Sequence, residues 1–178
     1  SGTRSACYWN NGVCDNGNVI GTGFYFGFSM NMDPQTGRLA TFIIHQNNQA
    51  MTLDKGKTWL PIASSFFGRG LDNGDVDWIS ANPKIILVCE HENLDQVYIS
   101  KDAGKNFNSV GFVPGKCIGV IDSLTIVKGL SDSTTHGIYR STDFGKNWQK
   151  VSTYIPLGLH PIRWGTHFYW STTEGVIV

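Results

Sequence analysis

The sequence predicts an all-β fold: a β-propeller of four-stranded antiparallel blades, with three full blades and a partial fourth. An eight-residue phrase occurs three times, as TLDKGKTW (52–59), SKDAGKNF (100–107) and STDFGKNW (141–148). Its aspartates, Asp54, Asp102 and Asp143, lie 48 and 41 residues apart, which is about the length of one propeller blade. The composition agrees, because 16 % charged residues, 12 % aromatic residues and 21 glycines are typical of short strands joined by tight turns.

Runs of β-branched and aromatic residues flank each phrase, as expected of strands. They are FYFGFSMN, LATFIIHQ, QAMTL and KTWLPI in the first unit; VDWISAN, IILVCEH, QVYIS and NFNSVGF in the second; and CIGVID, LTIVKG, GIYRS and NWQKVST in the third. Each phrase is therefore predicted to be the turn between the third and fourth strands of its unit. Three further strands are predicted at 162–165, 167–171 and 175–178.

We accordingly divide the chain into an N-terminal strand or clasp (1–20), blade 1 (21–68), blade 2 (69–115), blade 3 (116–156) and a partial blade 4 (157–178). These segments form a single domain, which is either a small propeller or part of a larger one. The N-terminal segment could supply a strand that closes the ring, because propellers avoid leaving a free edge strand.

The shared residues of the phrase have structural duties. The aspartate accepts hydrogen bonds from backbone N–H groups of its own turn, the glycine provides a positive φ or a close backbone approach, and the aromatic residue packs under the turn. These residues are Asp54, Gly56 and Trp59; Asp102, Gly104 and Phe107; and Asp143, Gly145 and Trp148.

The phrase Ser/Thr-x-Asp-x-Gly-x-x-Trp/Phe resembles the Asp-box, or bacterial neuraminidase repeat. This resemblance covers about residues 21–178 and implies a propeller whose boxes are turns away from the central site. Sialidases, xyloglucan-active glycosidases, sortilin-type sorting receptors and photosystem assembly factors share the box, so it identifies a fold and not a function. The unit layout is most similar to the xyloglucan-active glycosidases and the sortilin-type receptors. Sialidases resemble this chain only in the box, since their Phe/Tyr-Arg-Ile-Pro motif is absent and the chain has only five arginines.

The four cysteines, Cys7, Cys14, Cys89 and Cys117, are even in number and contain no CxxC pair. They favour two disulfides and therefore a secreted protein or one of the secretory-pathway lumen, as in the sortilin-type domains. Cys7 and Cys14 flank an Asn-Gly turn signal and would clasp a local hairpin, which leaves Cys89 to pair with Cys117. The alternative is four buried thiols.

Several partner classes are excluded. The formal charge is zero, so no basic surface for nucleic acid is expected, and no apolar run is long enough for a membrane span. No phosphate-binding loop, dinucleotide fingerprint or zinc motif occurs, so neither a cofactor nor a metal site is predicted. The run CEHEN (89–93) places Glu90, His91 and Glu92 next to one another, but adjacent strand residues face opposite sides, so these side chains are not expected to form a metal site.

Catalysis by a glycosidase would require two carboxylates facing each other across a sugar-binding cleft. The densest acidic run is LDNGDVDW (71–78), and the catalytic candidates are Asp75, Asp77 and Asp122. In the functional interpretation these acids lie beside Trp78, whose ring stacks on a sugar. In the structural interpretation, which we favour, the run is a solvated loop that leads into a strand.

Four aromatic residues outside the boxes, Trp78, Trp164, Tyr169 and Trp170, are candidates for ligand binding. Within RWGTHFYW (163–170), the alternation of Trp164, Thr166, Phe168 and Trp170 predicts one apolar strand face. Such residues bind sugars and peptides, although in propellers they more often fill the space between blades. The sequence thus favours a module that recognises a carbohydrate or protein ligand without catalysis, and the alternative is a glycoside hydrolase or a fragment of one.

Overall fold

The computed structural model describes residues 4–5, 8–10, 13–15, 22–23, 28–43, 49–62, 71–90, 96–113, 117–132, 134–157 and 160–178. For the described residues up to 30, and for residue 43, the structure gives the strands and their pairing but not the side chains. No helix occurs in these ranges, and within them no helical segment long and apolar enough to cross a membrane is found.

Four antiparallel sheets form the blades. Blade 1 comprises β5 (Phe28–Asp33), β6 (Arg38–Ile43), β7 (Ala50–Thr52) and β8 (Leu60–Pro61), and blade 2 comprises β9 (Leu71–Val76), β10 (Ile86–Glu90), β11 (Gln96–Ser100) and β12 (Asn108–Phe112). Blade 3 comprises β13 (Cys117–Val120), β14 (Ile126–Leu130), β15 (Gly137–Ser141) and β16 (Gln149–Ser152), and blade 4 comprises β17 (Ile162–Trp164), β18 (His167–Thr172) and β19 (Gly175–Ile177). Within each sheet the strands are ordered as in the sequence, so the predicted all-β propeller of three full blades and a partial fourth is confirmed.

Most predicted strands are found close to where the sequence placed them, and each Asp-box phrase does connect the third strand of its blade to the fourth. The first strand of blade 2 is an exception. It was expected in VDWISAN (76–82), but β9 is Leu71–Val76, and the run interpreted as a solvated loop is a largely buried strand. The prediction was wrong because the strand is polar in sequence, and its buried carboxylate, Asp75, bonds to Val120 of blade 3 and to Asn31 of blade 1.

Apolar clusters fill the space between successive blades. They combine Ala40, Phe42 and Met51 with Val76, Ile86 and Val88; Leu87, Cys89, Val97 and Ile99 with Ile118, Val120 and Ile126; and Cys117, Val127 and Ile138 with Trp170. Two glycines allow the sheets to approach closely. A Cβ atom at Gly74 would lie 2.4 Å from ring carbons of Phe42, and one at Gly129 would lie 2.0 Å from Pro156 Cγ.

The first strands of the blades lie next to one another, since β9 contacts both β5 and β13. Blade 4 contacts blade 1 through side chains: Arg163 Nη1 lies 4.0 Å from Asp33 Oδ2, and His160 Nδ1 lies 3.5 Å from Asn31 Nδ2. Polar residues from all four blades are thereby brought to the same end of these strands.

Among the described residues, four short strands precede blade 1. Strands β1 (Arg4–Ser5) and β4 (Thr22–Gly23) pair, and β2 (Tyr8–Asn10) pairs with β3 (Val13–Asp15), with Asn10 opposite Val13. The second pair is the hairpin predicted at the Asn-Gly signal. The predicted Cys7–Cys14 clasp lies outside the residues whose side chains are described.

The predicted Cys89–Cys117 disulfide is wrong, because both residues are buried thiols. Successive strand residues point to opposite faces. On β13, Ile118 and Val120 face blade 2 and share the cluster of Cys89, whereas Cys117 packs with Trp170 of blade 4. Burial raises the pKa of the Cys117 thiol.

Candidate functional site

The three Asp-boxes form almost identical turns. The first residue of each box donates its hydroxyl to Oδ1 of the aspartate at 2.8–2.9 Å and accepts a hydrogen bond from the box glycine N–H at 2.7–2.8 Å. The same Oδ1 accepts the backbone N–H of the residue four positions later, and Oδ2 accepts from that residue's side chain; these residues are Thr58, Asn106 and Asn147. Both carboxylate oxygens of each box aspartate therefore accept hydrogen bonds from within their own turn.

Each box glycine has φ near +84°, a conformation that other residues rarely adopt. The hydrogen bonds of the box lower the pKa of its aspartate, in Asp54, Asp102 and Asp143 alike, to about 2. The largest causes are the hydrogen bonds from the residue four positions later, which is Thr58, Asn106 or Asn147. The terminal aromatic residues differ: Phe107 is buried between blades 1 and 2, and Trp148 packs against the cluster between blades 2 and 3, while Trp59 is partly exposed.

Asp75 lies at the junction of three blades. It is buried on β9, where its Oδ1 accepts the N–H of Val76 at 2.9 Å and its Oδ2 accepts the N–H of Val120 on blade 3 at 2.7 Å. The side chain of Asn31 on blade 1 also bonds to it. Burial outweighs these hydrogen bonds and raises the pKa of Asp75 to about 8.

The other two predicted catalytic carboxylates also bind backbone groups. Asp77 is buried, and its Oδ1 accepts the N–H of Ile79 at 3.2 Å. Its pKa is raised, chiefly by burial and also by the charge of Asp122, against the opposing effects of Ser80, Ile79 and Arg163. Oδ1 of Asp122 accepts the N–H groups of Leu124 and Thr125, both at 2.8 Å. The three acids thus share one region, where each stabilises a strand junction or a turn.

Two arginines complete this polar region. The Arg38 guanidinium lies 3.0 Å from Asp33 Oδ2, donates to the carbonyl oxygens of Trp78 and of Ser80, and sits over the Trp78 ring at 5.4 Å. Burial opposes ionisation of Asp33, but its hydrogen bonds with Thr36, Arg38 and Gln35 prevail and lower its pKa. Arg163 lies between Asp33 and Asp77, with its Nε buried and without a hydrogen-bond partner.

A pocket of about 210 Å³ opens beside this polar region, between blade 1 and blade 4. Its described lining residues are Asn31, Met32, Pro34, His160, Pro161 and Ile162. Trp78 Nε1 donates to Asn31 Oδ1, and the Asn31 amide nitrogen faces His160, so the polar wall is held in position from blades 2 and 4. The pocket therefore combines apolar walls with two side chains that can form hydrogen bonds. No feature of the sequence marked it, since its residues come from segments about 130 positions apart.

The four predicted ligand-binding aromatic residues divide into two pairs. Trp78 is 3 % exposed and Trp170 is 4 % exposed, so neither offers a ring face to a ligand, and those two predictions are wrong. Both fill the space between blades, as the alternative interpretation held. Trp164 and Tyr169 are 59 % and 38 % exposed and lie on one face of blade 4. The predicted apolar face of Trp164, Phe168 and Trp170 does not form, because the chain turns between β17 and β18.

Comparison with known proteins supports the fold. The model of the BNR-Asp box repeat matches residues 138–151, which contain the third phrase. The crystal structure of the GH74 enzyme of Niastella koreensis has a TM-score of 0.50 and 17 % sequence identity, and the match covers 83 % of this chain and 26 % of that one. The structure of YCF48 bound to D1 peptide has a TM-score of 0.44 and 16 % identity, with 72 % and 41 % covered.

No curated protein sequence matches this chain. The chain spans 26 % and 41 % of the lengths of the two solved structures, and the 17 % identity to the GH74 enzyme indicates a shared fold alone. The chain is thus a propeller module with Asp-box repeats.

Proposed function

We propose that this chain is a recognition module that binds a protein or carbohydrate ligand and carries out no catalysis by itself. The observation that carries the proposal is the pocket between blades 1 and 4. Its apolar walls and its two hydrogen-bonding side chains are the usual features of a binding site. The Asn31 side chain, which lines the pocket, is held in place by the hydrogen bond from Trp78.

A protein ligand fits this pocket better than a carbohydrate. A volume of about 210 Å³ suits one amino-acid side chain better than a larger ligand. Four of the described lining residues, Met32, Pro34, Pro161 and Ile162, are apolar, and none of the described ones is an aromatic platform of the kind sugars stack on. We therefore assign the pocket to an apolar side chain of an extended peptide, with Asn31 and His160 bonding to its backbone. A secreted or lumenal location, predicted from the number of cysteines, belongs to the same proposal.

The second candidate is a glycoside hydrolase, and the raised pKa of Asp75 favours it, since a proton-holding carboxylic acid near further carboxylates is the pattern of a general acid. The hydrogen bonds of Asp75 argue against this role. Both of its oxygens accept backbone N–H groups, and its side chain is buried, so a glycosidic oxygen could not approach it.

Binding of the full chain to a peptide array and to a glycan array tests the proposal. His160→Ala should weaken peptide binding at least tenfold, whereas His136→Ala, which changes a histidine on the turn before β15, should leave it unchanged. Equal binding by the two variants would refute the pocket assignment. Binding to glycans alone would exclude a protein ligand, and release of sugar from a polysaccharide panel that is abolished in Asp77→Asn would establish the hydrolase instead.

A further inference from the structure

A row of side chains crosses three strands of blade 3. Lys128 on β14 lies opposite Tyr139 on β15, which lies opposite Lys150 on β16, and directly opposed residues share a face of the sheet. The Nζ atoms of the two lysines lie 5.9 and 5.8 Å from the centre of the Tyr139 ring. Lys128 Nζ also lies 4.4 Å from the centre of the Trp148 ring. We call these four residues the cationic strip.

The cationic strip lies in the cleft between blades 2 and 3. Ile118, which pairs with Lys128, is buried in the apolar cluster that joins these blades, and Tyr139 and Trp148 adjoin the same cluster. Beyond this cluster, Lys128 is half-buried and Lys150 is exposed. The strip therefore starts where the apolar packing ends and continues to the surface. Blades 2 and 3 are both complete four-stranded sheets, so described strands form both sides of the cleft.

Contacts within blade 3 hold the cationic strip in position. Tyr139 Oη donates a hydrogen bond to the carbonyl oxygen of Thr135 at 2.8 Å, which fixes the direction of the ring. The stem of Lys150 crosses Gly137, since a Cβ atom at that glycine would lie 2.7 Å from Lys150 Cε. The two ammonium groups therefore flank the Tyr139 ring in a preformed arrangement.

The two lysines have no counter-charge within the described part of the chain. The described ion pairs join Arg38 and Arg163 to Asp33, and the six strands from β11 to β16 contain no acidic residue. Asp132 lies on the turn before β15, but its carboxylate oxygens accept hydrogen bonds from Thr134 and Thr135. The chain has 14 acidic residues for 14 lysines and arginines, so the pair is not unpaired for want of carboxylates.

The half-buried position of Lys128 makes the missing counter-charge significant. Burial lowers the pKa of Lys128, as expected of an ammonium group that loses water without gaining an anion. The rings of Trp148 and Tyr139 stabilise a cation by cation–π attraction, but they do not neutralise its charge. An anion from outside the chain would supply what the fold leaves out.

We propose that the cationic strip binds an acidic polysaccharide, whose carboxylate groups pair with Lys128 and Lys150 and whose sugar rings lie against Tyr139 and Trp148. The two lysines are two strand spacings apart, which is about 10 Å, so they meet the charges of two different sugars in one chain. Aromatic rings beside cations provide the apolar face and the positive charge that such a sugar requires.

The direction of the cationic strip favours a polysaccharide over an acidic peptide. An extended peptide recognises a sheet by pairing with an edge strand, and the outermost strand of blade 3 is β16. Such a peptide would run along β16, at right angles to the row from Lys128 to Lys150. A chain that follows the row instead crosses the strands and uses side chains alone, as the strip does.

This inference does not rest on the proposed peptide pocket. The pocket lies between blades 1 and 4 and shares no described residue with the cationic strip. A chain that fails to bind peptides could therefore still bind the polysaccharide, and the reverse also holds.

Calorimetric titration of the full chain with polygalacturonate is the test, and fully methyl-esterified polygalacturonate is the uncharged control. The wild type should bind only the charged polymer, and more weakly at high salt. Lys128→Gln should weaken binding at least tenfold, because it removes a charge-assisted contact, and Lys150→Gln should weaken it to a smaller extent. Lys84→Gln removes an exposed lysine of blade 2 and should bind as the wild type does.

Two further variants separate the site from the fold and from net charge. Lys128→Arg keeps the positive charge and should retain most of the affinity, while Tyr139→Leu keeps both lysines and should still lose affinity. Circular dichroism checks that each variant is folded, and Lys150→Gln, which changes an exposed side chain, tests the site even if Lys128→Gln does not fold.

Three results would overturn the proposal. The first is no binding of polygalacturonate by the wild type at low salt. The second is an equal loss of affinity in Lys150→Gln and Lys84→Gln, which would indicate attraction to the whole surface. The third is tighter binding of polyglutamate or of single-stranded DNA than of polygalacturonate, which would assign the cationic strip to another class of polyanion.

Discussion

The buried carboxyl group of Asp75 predicts an unusual dependence of stability on pH. It joins three blades, since it accepts N–H groups from Val76 and Val120 and bonds to Asn31. Its pKa is about 8 in the folded chain, compared with 3.8 as the ordinary value. The folded protein therefore retains a proton on Asp75 at pH values where the unfolded chain has released it.

The sign follows from proton linkage. Because the folded pKa is raised, the contribution of Asp75 to stability is fully present below pH 3.8 and is lost as the pH rises through about 8. One unit of pKa difference corresponds to about 1.4 kcal/mol, so the free energy of unfolding should fall by on the order of 4 kcal/mol between pH 5 and pH 8 through this one group.

Urea unfolding of the wild type and of Asp75→Asn at pH 5, 6, 7 and 8 measures this effect. The variant has no titrating group at position 75, so its stability relative to the wild type should improve steadily as the pH rises. Asp77, whose pKa is also raised, is present in both proteins and largely cancels in the difference. Glu174→Gln, which removes an exposed carboxylate on the β18–β19 turn, should follow the wild type. Parallel curves for wild type and Asp75→Asn would refute the reasoning.

Three further predictions concern packing, turns and cysteines. Gly74→Ala places a methyl group against the buried Phe42 ring and should lower the free energy of unfolding by about 1–3 kcal/mol; a Phe42→Leu background should restore part of the loss, and an unchanged denaturation midpoint in Gly74→Ala would contradict the packing. Asp143→Ala removes the acceptor of the third box turn, so calorimetry should show a lower Tm with ligand affinity retained; lost affinity at unchanged Tm would give the box a binding role. The intact masses of the reduced and non-reduced protein should differ by the two hydrogens of a Cys7–Cys14 disulfide, whereas a difference of four would show that Cys89 and Cys117 are joined.

The sequence was sufficient to predict the Asp-box turns because their hydrogen bonds lie within eight residues. The aspartate, the hydroxyl residue and the glycine can be recognised in the phrase without knowledge of the fold. One feature of the turns was not predictable from the phrase. The residue before each glycine also has a positive φ, of 60–62°, at Lys55, Ala103 and Phe144. These three residues share no conformational preference, so the hydrogen bonds of the turn impose this backbone conformation.

The environment of LDNGDVDW could not be predicted, because it depends on distant partners. The acceptor role of Asp75 requires the N–H of Val120, 45 residues away. Trp78 is buried where Arg38 covers its ring and Asn31 accepts its indole N–H. Buried carboxylates are stable inside a protein only if donors surround them, and two of the donors to Asp75, Val120 and Asn31, belong to neighbouring blades.

The position of one turn decides which aromatic residues of RWGTHFYW are accessible. Two residues, Gly165 and Thr166, separate β17 from β18, so Trp164 lies opposite His167 and Ile162 lies opposite Tyr169. Along β18 the faces alternate, and Trp170 therefore points to blade 3 while Tyr169 points outward with Trp164. A continuous strand through the same eight residues would have put Trp164 and Trp170 on one face. The exposed face with Trp164 and Tyr169 thus results from the turn at Gly165, where φ is +64°, rather than from the alternation of aromatic residues in the sequence.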